Sequence, residues 1–232
     1  MTTSNTILID AGVAGHSRAF LVKGQKTVIV DTGMPGNAQN ILKALERSDI
    51  GVSDVSLILI THSHIDHFGS ARELKELLQV PLAIGKTDAK YLAHGKNAPI
   101  VPRSPEGHAQ LRMIQSQGRA DGDLTLSVQP DILIDGDTDL SKYGVAAEAL
   151  HTPGHTSGSL SIAVQDGDCA IGDLLASMSP SSSLGFSAFA EDPDEMVPSL
   201  KKVLGHDPVW LYPAHGNRIE AAEARKNFAD LL

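Results

Sequence analysis

The chain has 232 residues, 41% of them hydrophobic and 20% charged, with a formal net charge of -9 and a pI near 5.5. This is an ordinary globular composition, with length enough for a substantial core that must be aliphatic, since only 4% of residues are aromatic. The acidic balance, with no basic run, argues against a nucleic-acid partner, and Cys169 as the single cysteine excludes an intrachain disulfide and an all-cysteine zinc site.

The opening MTTSNTILIDAG has neither a basic leader nor a long apolar core, and no apolar run approaches the roughly 20 residues of a membrane helix. The expectation is a cytoplasmic protein without a membrane partner, one domain over residues 1–232, acting on a small molecule. A dimer is compatible with this composition. "AFLV" (19–22) and "TVIVD" (27–31) are apolar and β-branched around the turn "KGQK", which predicts a hairpin. "NAQNILKALERS" follows with helical spacing at Ile41, Leu42 and Leu45. "VSLILIT" (55–61) is a continuous apolar run, as for a strand buried on both faces, and "SARELKELL" and "PLAI" continue as helix and strand. This alternation predicts an α/β architecture.

Residues from about 86 to 130 are less regular and predict a helical insertion with two short helices around "APIVPRSP". Strands return with "ILI", "GVAAEALHT", "SLSIAV" and "CAIGD", the last two joined by the hairpin signal "QDGD". The Ser-rich stretch at about 176–190 predicts a mobile loop. "DPDEMVPSLKKVL" has an Asp cap followed by Pro, "VWLYP" is a strand, and "IEAAEARKNFADLL" predicts a closing helix. Each half runs strands into helix, which permits a body of two sheets.

The densest chemistry is "HSHIDH" at 62–67. His62 and His64, two apart on an extended segment, project together, and Asp66 and His67 follow where the chain turns into a helix. One loop thus presents ligand groups in two directions, which suits two neighbouring ions. His155 in "TPGHTSGS", Asp173 in "CAIGD" and His215 in "LYPAHGN" each stand where an apolar strand opens into a glycine-bearing loop. Taken singly, an Asp after a strand is more often a turn or cap residue, and Asp66 alone could be a helix cap. Cys169, inside an apolar run, reads as a small buried hydrophobe, with a catalytic thiol as the lesser reading.

"THSHIDHFGS" resembles the signature loop of the metallo-β-lactamase superfamily. "VIVDTG", "HTPGHTSGSL", "AIGD" and "YPAHGN" resemble its other motifs in the same order, from Thr27 to Asn217. The resemblance implies a four-layer αβ/βα sandwich with metals at one edge. It implies one ion on His62, His64 and His155, a second on Asp66, His67 and His215, and Asp173 bridging them. Asp31 then supports the site without binding metal, a plain turn Asp being the other reading.

Imidazole and carboxylate without thiolate suit two divalent ions, zinc first, with iron or manganese also compatible. The expected reaction is metal-assisted hydrolysis by a bridging hydroxide, with Asp66 as the catalytic residue that orients the water or moves its proton. Relatives that are true β-lactamases generally lack the bridging Asp. Glyoxalase II proper carries a further C-terminal domain, where only a short tail follows His215 here. The expectation is therefore a lactonase, esterase or thioesterase, with β-lactam amide hydrolysis or a mono-iron, persulfide-dioxygenase-like oxidation as alternatives. His16, His108, Phe186 and Phe189 are candidates for the mouth of the site, each with a plain surface-loop reading beside it.

Overall fold

The computed structural model describes residues 6–14, 17–176 and 184–232. The apolar runs of the first half form a sheet with the spatial order β1 (Ile7–Ala14), β2 (Ser17–Lys23), β3 (Thr27–Val30), β4 (Val55–Ile60), β5 (Leu82–Gly85), β6 (Ile132–Ile134). The first two pairings are antiparallel and the next three parallel. Between the parallel strands lie α1 (Ala38–Arg47), then α2 (Ile65–Phe68) and α3 (Ala71–Leu78), then α4 (Ala89–Leu92) and α5 (Pro105–Ser116). The second sheet contains β7 (Thr138–Asp139), β8 (Ala147–His151), β9 (Leu160–Val164), β10 (Asp168–Gly172), β13 (Trp210–Pro213) and β14 (Ile219–Glu220). A separate ribbon pairs β11 (Leu175–Ala176) with β12 (Gly185–Phe186), and the last helices are α6 (Met196–Gly205) and α7 (Ala221–Asn227).

Side chains alternate across a strand, and here the alternation sorts them into layers. Phe20, Val22, Leu57 and Leu59 of the first sheet pack with Ala149, Leu160, Ile162 and Ala170 of the second, forming the core between the sheets. Leu21, Ile29, Ile58 and Ile60 face the other way, onto Ile41 and Leu45 of α1 and Leu74 of α3. Cys169, Ile171 and Leu211 face outward onto Leu200 and Val203 of α6 and Ala224 of α7. The order helix, sheet, sheet, helix is the expected αβ/βα sandwich. A buried β4 explains the unbroken "VSLILI": both of its faces lie in a core.

β1 was not legible as a strand. Asp10 and Gly12 interrupt its alternation, and the pairing with β2 slips between them, with Gly12 at φ 103°. The closing helix starts later than predicted, because Ile219 and Glu220 first pair with β13. The Asp192–Pro193 cap opens a 3₁₀ turn that leads into α6, Asp192 Oδ1 accepting from Asp194 N at 3.1 Å. Within 86–130, α5 is capped by Ser104, whose Oγ accepts from Gly107 N at 3.1 Å. Of the stretch 176–190, residues 177–183 lie outside the described residues. In the described remainder Phe186 pairs with Leu175, and Ala190 N donates to Val101 O at 2.9 Å. Among the described residues no helix is long and apolar enough to cross a membrane.

Candidate metal centre

Asp31 follows β3, Thr61 to His67 follow β4, Asp173 follows β10, His215 follows β13, and His155 lies in the turn between β8 and β9. Apart from His155 these are carboxyl ends of strands, where a parallel sheet leaves side chains free for a ligand. The two sheets meet there, Leu160 N donating to Thr61 O at 2.9 Å. All seven residues expected to hold metal converge. Their ligand-type atoms form three overlapping groups, each within 4.8 Å: His62, His64 and His155; His62, His67 and Asp173; Asp66, His67 and His215.

In the first group, His62 Nε2 is 3.1 Å from His64 Nδ1, and His155 Nε2 is 3.2 Å from His62 Nε2 and 3.1 Å from His64 Nδ1. The surrounding hydrogen bonds assign the tautomers. His155 Nδ1 donates to Phe189 O at 2.9 Å. Thr61 Oγ1 donates to Asp31 Oδ2 at 2.8 Å, so it accepts from His62 Nδ1 at 3.0 Å. A neutral imidazole has one N–H, so the Nε2 atoms of His62 and His155 are both bare. Two lone pairs 3.2 Å apart repel each other unless a cation, or the shared N–H of His64 Nδ1 at 3.1 Å from each, lies against both. Zinc holds imidazole nitrogens at about 2.0–2.1 Å, which at a tetrahedral angle sets them about 3.3 Å apart. The triangle has the spacing of an ion site.

In the Asp66–His67–His215 group, His215 Nε2 lies 3.2 Å from Asp66 Oδ2 and 3.4 Å from Asp173 Oδ2. Asp173 Oδ2 is also 3.5 Å from His155 Nε2, so one carboxylate oxygen faces both groups. His67 Nδ1 donates to Asp31 Oδ2 at 2.8 Å, which turns Nε2 inward, 3.4 Å from Asp173 Oδ1. His67 Nε2 and Asp173 Oδ1 are buried and make no hydrogen bond among the described residues. Buried polar atoms without partners are rare and costly, and these two point at the place where an ion would satisfy them.

The electrostatics separate the groups. Burial, reinforced by the neighbouring imidazoles, holds His62 well below its ordinary value of 6.5 and His64 at about 3. Burial also lowers His155. These three are neutral at pH 7, the form a metal requires. His67 goes the other way despite its burial: Asp173, Asp66 and Asp31 raise it to about 9. His215 is likewise raised by Asp173 and Asp66 against its burial, and those two carboxyls stay low despite theirs because the imidazoles face them. The Asp66–His67–His215 group is organised for positive charge.

A model of the metallo-β-lactamase superfamily matches residues 12–215. The chain belongs to the metallo-β-lactamase superfamily. As a member of the superfamily it has relatives that include a probable metallo-hydrolase of Methanocaldococcus jannaschii. That protein is 28% identical over 164 residues, 71% of this chain and 69% of the relative. A probable metallo-hydrolase of Bacillus subtilis is 31% identical over 158 residues, 67% of this chain and 64% of the relative. The match thus spans about two thirds of these relatives' own length. Among solved structures, the BLEG-1 B3 metallo-β-lactamase superposes with a TM-score of 0.69 at 20% identity, over 95% of this chain and 97% of that one. A protein solved in a di-iron-bound form gives 0.65 at 24% identity, over 94% and 97%. These likenesses establish the metallo-β-lactamase fold.

Around this superfamily centre stand residues the sequence did not mark. Thr61 links Asp31 to His62. Asn97 accepts from Ile65 N at 2.7 Å and donates to Arg119 O and Ala120 O, tying the "HSHIDH" loop to the segment that follows α5. Asp88 is fully buried beside both histidine loops. Of the mouth candidates, His16 lies outside the described residues. His108 is an exposed residue of α5 whose Nδ1 meets Ser104 O at 2.9 Å. The Phe186 ring packs against Phe228, centroids 4.8 Å apart and tilted by 46°, and Phe189 serves His155 through its carbonyl.

Proposed function

We propose that the protein is a metal-dependent hydrolase of a small carbonyl substrate, a lactone, ester or thioester, with two divalent ions, zinc foremost and iron or manganese as alternatives. The observation that carries this reading is Asp173, whose Oδ2 stands 3.5 Å from His155 and 3.4 Å from His215 and so joins two ligand groups into one centre. His62, His64 and His155 are the residues for one ion, Asp66, His67 and His215 for the other, and Asp173 for both. A bound divalent ion lowers the pKa of its water from 15.7 to about 7 and polarises a carbonyl oxygen.

The chain's residues supply the rest. The three neutral histidines accept an ion without losing a proton. Asp31 orients His67, and Phe189 O orients His155. The Asp66 side chain is 24% exposed, against 9% for Asp173, so Asp66 is placed to orient a water and carry a proton between pocket and solvent. No side-chain nucleophile is required, and burial pushes the Cys169 thiol up, away from its reactive form. The relatives named probable metallo-hydrolases support a hydrolytic role.

The test is an assay of metal-loaded protein on lactones, thioesters, esters, phosphodiesters and β-lactams. Turnover of the first three, lost in Asp173→Ala, is expected. Turnover of β-lactams alone contradicts the substrate class. Oxygen consumption with a single iron contradicts hydrolysis.

A further inference from the structure

We propose that Asp88 is a positioning residue of the His62–His64–His155 group, a buried carboxylate that sets the two loops carrying those histidines against each other. This rests on the reading of that group as an ion site. Asp88 opens α4, and "TDAKYL" looks like a helix start, yet its side chain makes no hydrogen bond to its own helix. Instead Oδ2 accepts from Ser63 N at 2.8 Å and from Thr156 Oγ1 at 2.9 Å, and Oδ1 accepts from Gly158 N at 2.9 Å. Ser63 stands between His62 and His64, and Thr156 follows His155. One carboxylate therefore holds both ligand loops, one 25 residues away and the other about 70.

A buried carboxylate without a facing cation is costly unless its oxygens are filled by donors. Burial raises the Asp88 carboxyl, and the Ser63, Thr156 and Gly158 donors oppose that rise. The fit is tight: a Cβ at Gly158 would lie 2.5 Å from Asp88 Oδ1. The need for such a clamp follows from the triangle. Ligand atoms from two loops meet at 3.1–3.2 Å, and a preorganised site requires them fixed to about half an ångström. The outer ring atoms do not provide this. Those of His62 and His155 reach Thr61 Oγ1 and Phe189 O, while His64 Nε2 has no hydrogen bond among the described residues. Asp31 fixes His67 through its ring; Asp88 acts on backbone and hydroxyl. The hydrogen bonds described for Asp88 end on Ser63, Thr156 and Gly158, beside His62, His64 and His155, and none reaches Asp66, His67 or His215, so its hold is most direct on one ion's residues.

The test is competition between the zinc-loaded protein and a chromophoric chelator, which reads the two dissociation constants separately. Asp88→Asn, which turns an acceptor oxygen into a donor, is expected to weaken one ion about 10–100-fold and leave the other within about threefold. Thr156→Val, which removes one donor at constant shape, is expected to act on the same ion more weakly, and it serves if the first variant does not fold. In a His155→Ala background, where that ion is already compromised, Asp88→Asn is expected to add nothing. A lower Tm with both constants unchanged, equal weakening of both ions, or additivity with His155→Ala overturns the assignment and leaves the two-ion reading standing. A wild-type chain that binds no zinc overturns both.

Discussion

His67 Nδ1 donates to Asp31 Oδ2 at 2.8 Å, and both side chains are sealed from solvent. The bond fixes the tautomer of His67 and aims Nε2 into the centre. The same carboxylate accepts from Thr61 N at 2.7 Å and from Thr61 Oγ1, the hydroxyl that receives His62 Nδ1. Asp31 thus reaches a histidine of each group. It sits at φ 59°, a conformation Asn tolerates and Ala does not. Asp31→Asn keeps the backbone and is expected to weaken both ions about 10–100-fold. Chelator titration of the variant measures it; wild-type constants for both ions would refute the role.

The metal-free protein should have a stability maximum near neutral pH. His67, raised from 6.5 to about 9, contributes stability that is complete below pH 6.5 and lost as pH rises through 9. His64, lowered from 6.5 to about 3, contributes stability present above pH 6.5 and lost as pH falls through 3. The Tm of metal-free protein is expected to fall in both directions from about pH 6.5. Loading with zinc replaces the His67 proton and is expected to shrink the alkaline fall. A metal-free Tm that climbs between pH 7 and 9 contradicts this charge assignment.

The strand and helix order was legible because it depends on local pattern, and the resemblance of the five motifs to the superfamily marked the seven His and Asp residues that the fold brings together. The unbroken "VSLILI" announces a strand with two buried faces, and every candidate ligand but His155 follows the end of a strand. The supports were not legible, because their partners are distant in sequence. Asp88 gains Ser63 and Gly158 as partners only through the fold, and Asn97 has no local pattern at all. Phe189 touches His155 through its carbonyl, which any residue there would supply, so its side-chain identity carries no signal of that contact. β1 was hidden by the bulge at Asp10 and Gly12.

Gly85 ends β5 against the His155 loop. A Cβ there would meet Gly158 O at 2.0 Å, and the obstacle is backbone, which cannot rotate away. Gly85→Ala is expected to cost about 1–3 kcal/mol and to loosen the histidine triangle. Denaturant unfolding and zinc content check it; a variant matching wild type in both rules out this close approach.

Cys169 is 1% exposed, with its thiol pushed up by burial. Native protein is expected to resist iodoacetamide, and Cys169→Ala to keep its metal and its turnover. Loss of turnover with metal content intact would reinstate the thiol as a nucleophile.

The bridging role proposed for Asp173 is that it joins two ion sites. Its most direct test is elemental analysis of the purified chain and of Asp173→Ala after the same dialysis. The expected result is two divalent ions per wild-type chain and substantial loss in the variant. One ion per wild-type chain, or two retained in Asp173→Ala, contradicts it.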